Sequence, residues 1–279
     1  MAVEELKKTL VLGHRNPDTD SICSAICYAG FKHQLTGENY EPCRAGNVNP
    51  ETQYVLDYFK LKAPRLVENV KTQVKDIEIR KTKGVSRGIS LKNAWGLMQE
   101  NNVVTLPCVT EEGLLEGVIT IGDITKSYMN LYDSSIISKA CTKYANILDT
   151  LEGSMVVGDS EAYFDRGKVL IAAANPDLME NYIEKHDLVI LGNRYESQLC
   201  AIEMEAGCII VCEGAGVSLT IRKLAQERGC AVITTPYDTY TTARLINQSM
   251  PISYFMTKEN IIEFSEEDYL DDIREIMAS

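Results

Sequence analysis

The 279-residue chain has no apolar run approaching the ~18 residues that a membrane-spanning helix needs. Its first residues, Met1 to Lys8, are charged and hold no apolar signal-peptide core. A basic excess is also missing: 28 Lys and Arg stand against 40 Asp and Glu, a formal charge of −12. An acidic chain without a basic run is a poor candidate for gripping a nucleic-acid backbone, and it lacks a polybasic membrane patch. There are only three histidines, His14, His33 and His186. The nine cysteines form no disulfide framework, and an odd count at irregular spacing reads as reduced thiols in the cytosol.

What is present suits a globular enzyme or sensor. At 45% hydrophobic residues the chain can bury a full core, and its length suggests about two domains. Cys23 and Cys27 share one face of a helix, but zinc would need two more ligands, and only Cys43 and His33 are near in sequence. Buried thiol packing is the expectation there.

Residues 1–70 alternate strand and helix. "KTLVLG" reads as a fully buried strand, and Ser21 to Leu35 as a helix with Ile22, Ala25, Ile26 and Ala29 on one face. "YEPCRAG" is a second strand, and "NPETQYVLDYFKL" a helix capped by Asn49 with Pro50 at its first position. Such alternation predicts an α/β fold with a parallel sheet. Residues 71–130 follow a βαββα order. Residues 131–249 return to α/β alternation, with four strand-like runs, "KVLIAAA", "DLVILG", "CIIVCE" and "CAVITT", and helices at "PDLMENYIEKH" and "SLTIRKLAQERG". In residues 250–279, Ile273, Ile276 and Met277 fall on Ala94, Leu97 and Met98 of the second segment, an internal repeat.

The chemistry concentrates in "GHRNPDTDS". His14 offers an imidazole nitrogen, and Asp18 and Asp20 offer carboxylates, around Pro17. A strand-to-helix crossover places such a loop at the carboxyl end of the strand, where open α/β sheets bind ligands. Mixed N and O ligation suits Mn²⁺, Mg²⁺ or Co²⁺ better than a thiophilic metal. The following helix directs its positive dipole end toward the same place, which favours a phosphate. The simpler alternative is an Asx turn, with a capping Asp and an uninvolved His.

This loop resembles the first motif of the DHH superfamily, in the form used by the family II, manganese-dependent inorganic pyrophosphatases. Asp20-Ser21-Ile22 separates it from the related phosphodiesterases. The second segment resembles a CBS motif through Ser90, Ala94, Leu97, Met98, Val103, Leu106, Pro107, Gly117, Val118, Thr120 and Asp123. The third resembles a DRTGG-type domain, although the name-giving motif is absent. The fourth resembles the first strand and helix of a second CBS motif, without its hairpin.

The resemblance implies an N-terminal DHH portion followed by a CBS–DRTGG–CBS insert. Mn²⁺, Co²⁺ or Mg²⁺ is the expected cofactor, with His14 and Asp18 binding one ion and Asp20 the other. Pyrophosphate is the expected substrate of two-metal hydrolysis. AMP, ADP or ATP-type adenine nucleotides are the expected regulators. The chain is expected to form a homodimer through its CBS motifs and to lie in the cytoplasm. By the motif, Thr120 and Asp123 meet a nucleotide's phosphate and ribose. The alternative is that Asp123 simply caps a helix, and both readings stand on sequence alone.

The Asp-His-His motif of the family does not occur. The expectation is therefore a chain that ends before its catalytic half and hydrolyses pyrophosphate negligibly by itself. A second reading is an adenine-nucleotide-sensing CBS/DRTGG protein with a vestigial catalytic start. "CEGAGVS" lacks the Lys and spacing of a phosphate-binding loop and reads as a tight turn, and "EFSEEDYLDDIREIM" as an amphipathic helix with a solvated acidic face.

Overall fold

Short-range signals set the first elements. A computed structural model describes residues 8–79, 81–129 and 133–278. The charged start before Lys8 and the sequence-based boundary at 130–131 lie outside those residues. Contacts divide the chain into two compact units, Met1–Ile79 with Phe264–Ser279, and Arg80–Glu263.

In the first unit, β1 (Thr9–Val11) leads to α1 (Thr19–Thr36), and β2 (Tyr40–Arg44) to α2 (Pro50–Tyr58) and β3 (Arg65–Leu66). The three strands are parallel, in the order β1-β2-β3. Asp18 Oδ1 accepts the Ser21 amide at 2.9 Å to start α1, and Gly37, at φ +72°, ends it with its N–H on His33 O. Asn49 Oδ1 takes the Thr52 amide at 2.7 Å to start α2, with Pro50 at the first helical position. Ile22, Ala25, Ala29, Cys43 and Leu56 form the small core.

Two expectations fail in this unit. "KTLVLG" is not a fully buried strand, because β1 lies at the sheet edge and pairs only with β2, leaving Thr9 and Leu10 exposed. Cys27 is exposed and Cys23 only half-buried. The buried stripe of α1 runs through Ser21, Ile22, Ala25 and Ala29, so the thiols do not pack in a core.

The second unit begins with α3 (Leu91–Glu100), the antiparallel hairpin β4 (Thr105–Val109) and β5 (Leu115–Thr120), and α4 (Ile121–Met129). Ser90 Oγ caps α3 by accepting the Asn93 amide at 3.1 Å. The strand expected ahead of α3 is reduced to isolated bridges, Val85 to Cys108 and Ser90 to Pro251. Then follow α5 (Ile136–Lys139), β6 (Thr142–Lys143), α6 (Tyr144–Thr150), β7 (Ser154–Val157), β8 (Tyr163–Phe164), β9 (Val169–Ile171), α7 (Pro176–Met179), β10 (Leu188–Leu191), α8 (Tyr195–Glu203), β11 (Cys208–Val211), α9 (Leu219–Arg228), β12 (Ala231–Thr234) and α10 (Thr239–Leu245).

The large sheet runs β7-β12-β11-β10-β9, parallel except for β7. Every residue of β10 and β11 is buried, as a parallel sheet covered on both faces requires. The four expected strands are β9 to β12, and the antiparallel edge strand β7 was not foreseen. "PDLMENYIEKH" is helical only over Pro176–Met179. The buried Asp187 explains the shortening. Its carboxylate takes the amides of Glu184 at 2.8 Å and Lys168 at 2.9 Å, which turns the chain before a longer helix can form.

In the first unit the chain returns as α11 (Leu270–Ala278), none of whose residues is buried. The repeat is expressed in backbone bonding. In the second unit Leu91 N–H donates to Met250 O, Ile252 N–H to Ile89 O and Ser253 N–H to Arg87 O. In the first unit Leu270 N–H donates to Thr72 O, Val74 N–H to Asp268 O and Lys75 N–H to Glu266 O. Even the turn ahead of each helix recurs: Gly88 N–H reaches Ser86 Oγ at 3.4 Å, and Glu267 N–H reaches Ser265 Oγ at 3.3 Å.

Candidate metal loop and nucleotide-binding motif

The loop "GHRNPDTDS" leaves the carboxyl end of β1 and enters α1. Two glycines let it fit. A Cβ on Gly13 would collide with Ser21 Oγ, and one on Gly46 would lie 2.5 Å from Arg15 O and 2.6 Å from Pro17 Cδ. Pro17 is buried there. Thr19 Oγ1 and Thr52 Oγ1 share a hydrogen bond of 3.0 Å, which ties the starts of α1 and α2 together. Arg44 braces the second crossover, its Nε donating to Pro64 O at 3.0 Å and its Nη1 to Gly46 O.

His14 Nε2 lies 3.4 Å from Asp18 Oδ1, so the loop does bring these two together. The Ser21 amide holds the Asp18 carboxyl below its ordinary range, partly opposed by desolvation and aided to a lesser degree by His14. Asp20 is placed apart from them. It sits in the first turn of α1, with Oδ1 accepting from Ser24 Oγ at 3.3 Å. Among the described residues no three His, Cys, Asp or Glu side chains converge closely enough to hold a metal ion. The donors suit a borderline divalent ion in kind but not in number, so no catalytic step is assigned to one. His33 Nδ1 lies 2.7 Å from Glu38 O, and His186 occupies a left-handed turn at φ +71°; both serve local structure.

Thr120 and Asp123 meet where β5 runs directly into α4. The Thr120 amide and hydroxyl donate to Asp123 Oδ2 at 2.9 and 2.7 Å, and the Asp123 amide donates to Thr120 Oγ1 at 3.2 Å. This is a reciprocal capping box, with Thr120 as the cap and Asp123 reaching back, rather than a cap by Asp123. Asp123 Oδ1 has no hydrogen-bond partner among the described residues and can accept from a ligand hydroxyl.

Close packing also shapes the other end of the β4–β5 hairpin. A Cβ on Gly84 would lie 2.6 Å from Val109 Cγ2, and one on Gly117 would lie 2.7 Å from Thr257 O. A cavity of about 520 Å³ lies against Gly84, Ser86, Arg87, Thr110 and Glu116. Arg87 Nη1 is 3.2 Å from Glu116 Oε1. Sequence reading passed over Arg87 because the motif match began at Ser90. The turn at Glu213 and Gly214 spends its amides on Tyr237 O and Thr235 O, both at 2.8 Å, and so forms no phosphate cradle.

Comparison with known proteins follows these lines. The CBS domain family matches residues 74–130, and the DRTGG domain family residues 146–249. The crystal structure of the CBS and DRTGG domains of the regulatory region of Clostridium perfringens pyrophosphatase, complexed with the activator diadenosine tetraphosphate, is 35% identical. It covers 75% of this chain and 90% of that one, with a TM-score of 0.70. The chain belongs to the CBS- and DRTGG-containing inorganic pyrophosphatase family.

Two curated members extend that likeness. The cobalt-dependent inorganic pyrophosphatase of Clostridium perfringens is 39% identical over 268 residues, 96% of this chain and 49% of that protein. The probable manganese-dependent inorganic pyrophosphatase of Thermotoga maritima is 30% identical over 276 residues, 99% of this chain and 50% of that protein. The chain thus spans about half the length of the curated relatives it matches. The manganese-dependent enzyme of Bacillus subtilis is 57% identical over 72 residues, 26% of this chain. The match to the DRTGG family contains the sheet from β7 to β12, so the missing name-giving residues did not mislead the sequence reading. No described helix is long and apolar enough to cross a membrane.

Proposed function

We propose that the chain serves a manganese- or cobalt-dependent inorganic pyrophosphatase, contributing one wall of the metal site and a regulatory segment that senses adenine nucleotides. The observation that carries this reading is the 39% identity to the cobalt-dependent Clostridium perfringens enzyme over 96% of the chain. The placement of "GHRNPDTDS" at the carboxyl end of a parallel strand supports it, since that is where such sheets bind ligands.

His14, Asp18 and Asp20 are the proposed metal ligands. His14 and Asp18 are poised to share an ion, while Asp20 would have to release Ser24 to reach one. Thr120 and Asp123 are the proposed nucleotide contacts. Pyrophosphate is the substrate, AMP-, ADP- or ATP-type molecules are the regulators, and a homodimer through the CBS motifs is the proposed assembly. The nine free thiols fit the cytoplasm. In domain terms, residues 1–70 belong to the DHH portion, 71–130 to the first CBS motif, 131–249 to the DRTGG-like domain and 250–279 to the second CBS motif.

The chain alone is expected to release phosphate from pyrophosphate negligibly when supplied with Mn²⁺ or Co²⁺. Turnover of about 1 s⁻¹, within an ordinary enzyme's range, would overturn the view that three ligands in one loop are insufficient.

One observation favours a second reading, in which the chain is a nucleotide-sensing protein with a vestigial catalytic start. The described residues gather no three-ligand metal set, while the CBS and DRTGG matches are extensive. Calorimetry of the full chain separates the readings. The first expects weak AMP binding by this chain on its own. A Kd near 1 μM, worth about 8 kcal/mol, would favour the second.

A further inference from the structure

Thr52, in the first turn of α2, is wholly enclosed although it carries a hydroxyl. Its amide donates to Asn49 Oδ1 at 2.7 Å, and its hydroxyl lies 3.0 Å from Thr19 Oγ1, 33 residues away in the chain. Thr19 is the residue between Asp18 and Asp20. Successive residues of a helix are turned by about 100° from one another. With the half-buried Thr19 held toward α2, its two neighbours are carried outward on either side, and both are exposed.

The contacts of the two carboxylates themselves are local. Asp18 holds the Ser21 amide and faces His14, and Asp20 accepts from Ser24, all within the loop and α1. Such bonds shape the turn but do not orient it against the rest of the unit. The second crossover does that at two points. Gly46, its carbonyl held by Arg44 Nη1, packs so closely on Arg15 O and buried Pro17 that no Cβ fits. That contact limits how near the loop can lie. The Thr19–Thr52 bond is directional, so it also limits how the first turn of α1 is rotated.

We propose that Thr52 is a positioning residue for the metal loop, acting through Thr19 to set the direction of the Asp18 and Asp20 carboxylates. The inference rests on the reading of those carboxylates as ligands of a divalent cation. Neither threonine touches the ion; each orients the groups that do.

Titration of the full chain with Mn²⁺, followed by the electron paramagnetic resonance of the free ion, tests it alongside thermal melts. Thr52→Val keeps the shape and removes the hydroxyl, and should weaken Mn²⁺ binding about fivefold, the scale of one hydrogen bond. Thr52→Ser keeps the hydroxyl and should bind Mn²⁺ as the wild type does, even if the lost methyl lowers its melting temperature. Thr19→Val should match Thr52→Val, and the double variant should be no weaker than either, since all three remove the same bond. Wild-type affinity in Thr52→Val overturns the proposal. Equal losses in Thr52→Val and Thr52→Ser also overturn it, because packing alone would then be at work. If Thr52→Val does not fold, Thr19→Val decides the matter. Failure of the underlying reading looks different: Asp18→Ala and Asp20→Ala would then bind Mn²⁺ no worse than the wild type, and the proposal falls with it.

Discussion

The Thr120 hydroxyl donates to Asp123 Oδ2 at 2.7 Å, and the Asp123 amide returns a bond to Thr120 Oγ1 at 3.2 Å. The pair proposed for nucleotide recognition therefore also starts α4. Thr120→Ala should cost about 1 kcal/mol of stability, the typical value of a helix cap, while Thr120→Ser should keep the cap. Asp123→Asn should leave the melting temperature close to wild type and weaken AMP binding. Urea denaturation and calorimetry on the same samples check both halves. A large loss of stability in Asp123→Asn would mean that the residue is structural only.

Asp18 faces a similar double demand. Its carboxyl is held below the ordinary value of 3.8 by the Ser21 amide and His14. A depressed acid stabilises the fold above its unfolded pKa, and the contribution fades as pH falls from about 3.8 through the lower folded value. Asp18→Asn retains a capping oxygen but not the charge, so it should melt slightly below wild type at pH 7, with less loss on acidification below pH 3.8. Asp18→Ala should melt lower at both pH values. Thermal melts at pH 7 and pH 3 provide the check.

Gly46 and Gly30 should respond in opposite directions to alanine. At Gly46 the new Cβ would lie 2.5 Å from Arg15 O. Forcing the two crossover loops apart should cost about 1–3 kcal/mol. At Gly30, exposed within α1, a Cβ meets nothing within 4 Å. Gly30→Ala should gain about 0.5–1 kcal/mol from helix propensity. Urea midpoints of the two variants test the contrast.

Thr150 Oγ1 is the one buried side-chain oxygen or nitrogen without a hydrogen-bond partner among the described residues. Thr150→Val removes the unpaired hydroxyl at nearly constant shape, so stability should stay level or rise by about 1 kcal/mol. A loss of more than about 1 kcal/mol in denaturant unfolding would show that the hydroxyl holds an ordered water.

Much of the candidate site was legible because its signals are local. Asp18 and Asn49 cap helices, Pro50 opens one, and Ser90 begins the first repeat, each through bonds spanning three residues. Asp20 was read as the ligand of a second ion, apart from His14 and Asp18, and its place on the first turn of α1 sets it beside Ser24. Arg87 went unread because its partner Glu116 lies 29 residues away.

By itself the sequence determined the α/β class, the helix caps, the buried central strands and the motif that names the family. Each depends on short-range hydrogen bonds or on the periodicity of apolar residues. Tertiary structure decided which strand became an edge, so that Leu10 is exposed, and which face of α1 was covered, so that Cys27 is not. It also decided that residues 72–75 bond with 266–270, repeating the pairing of 250–253 with 87–91. Burial and long-range pairing depend on sheet order and on neighbours far away in the chain, and a local pattern carries no record of either.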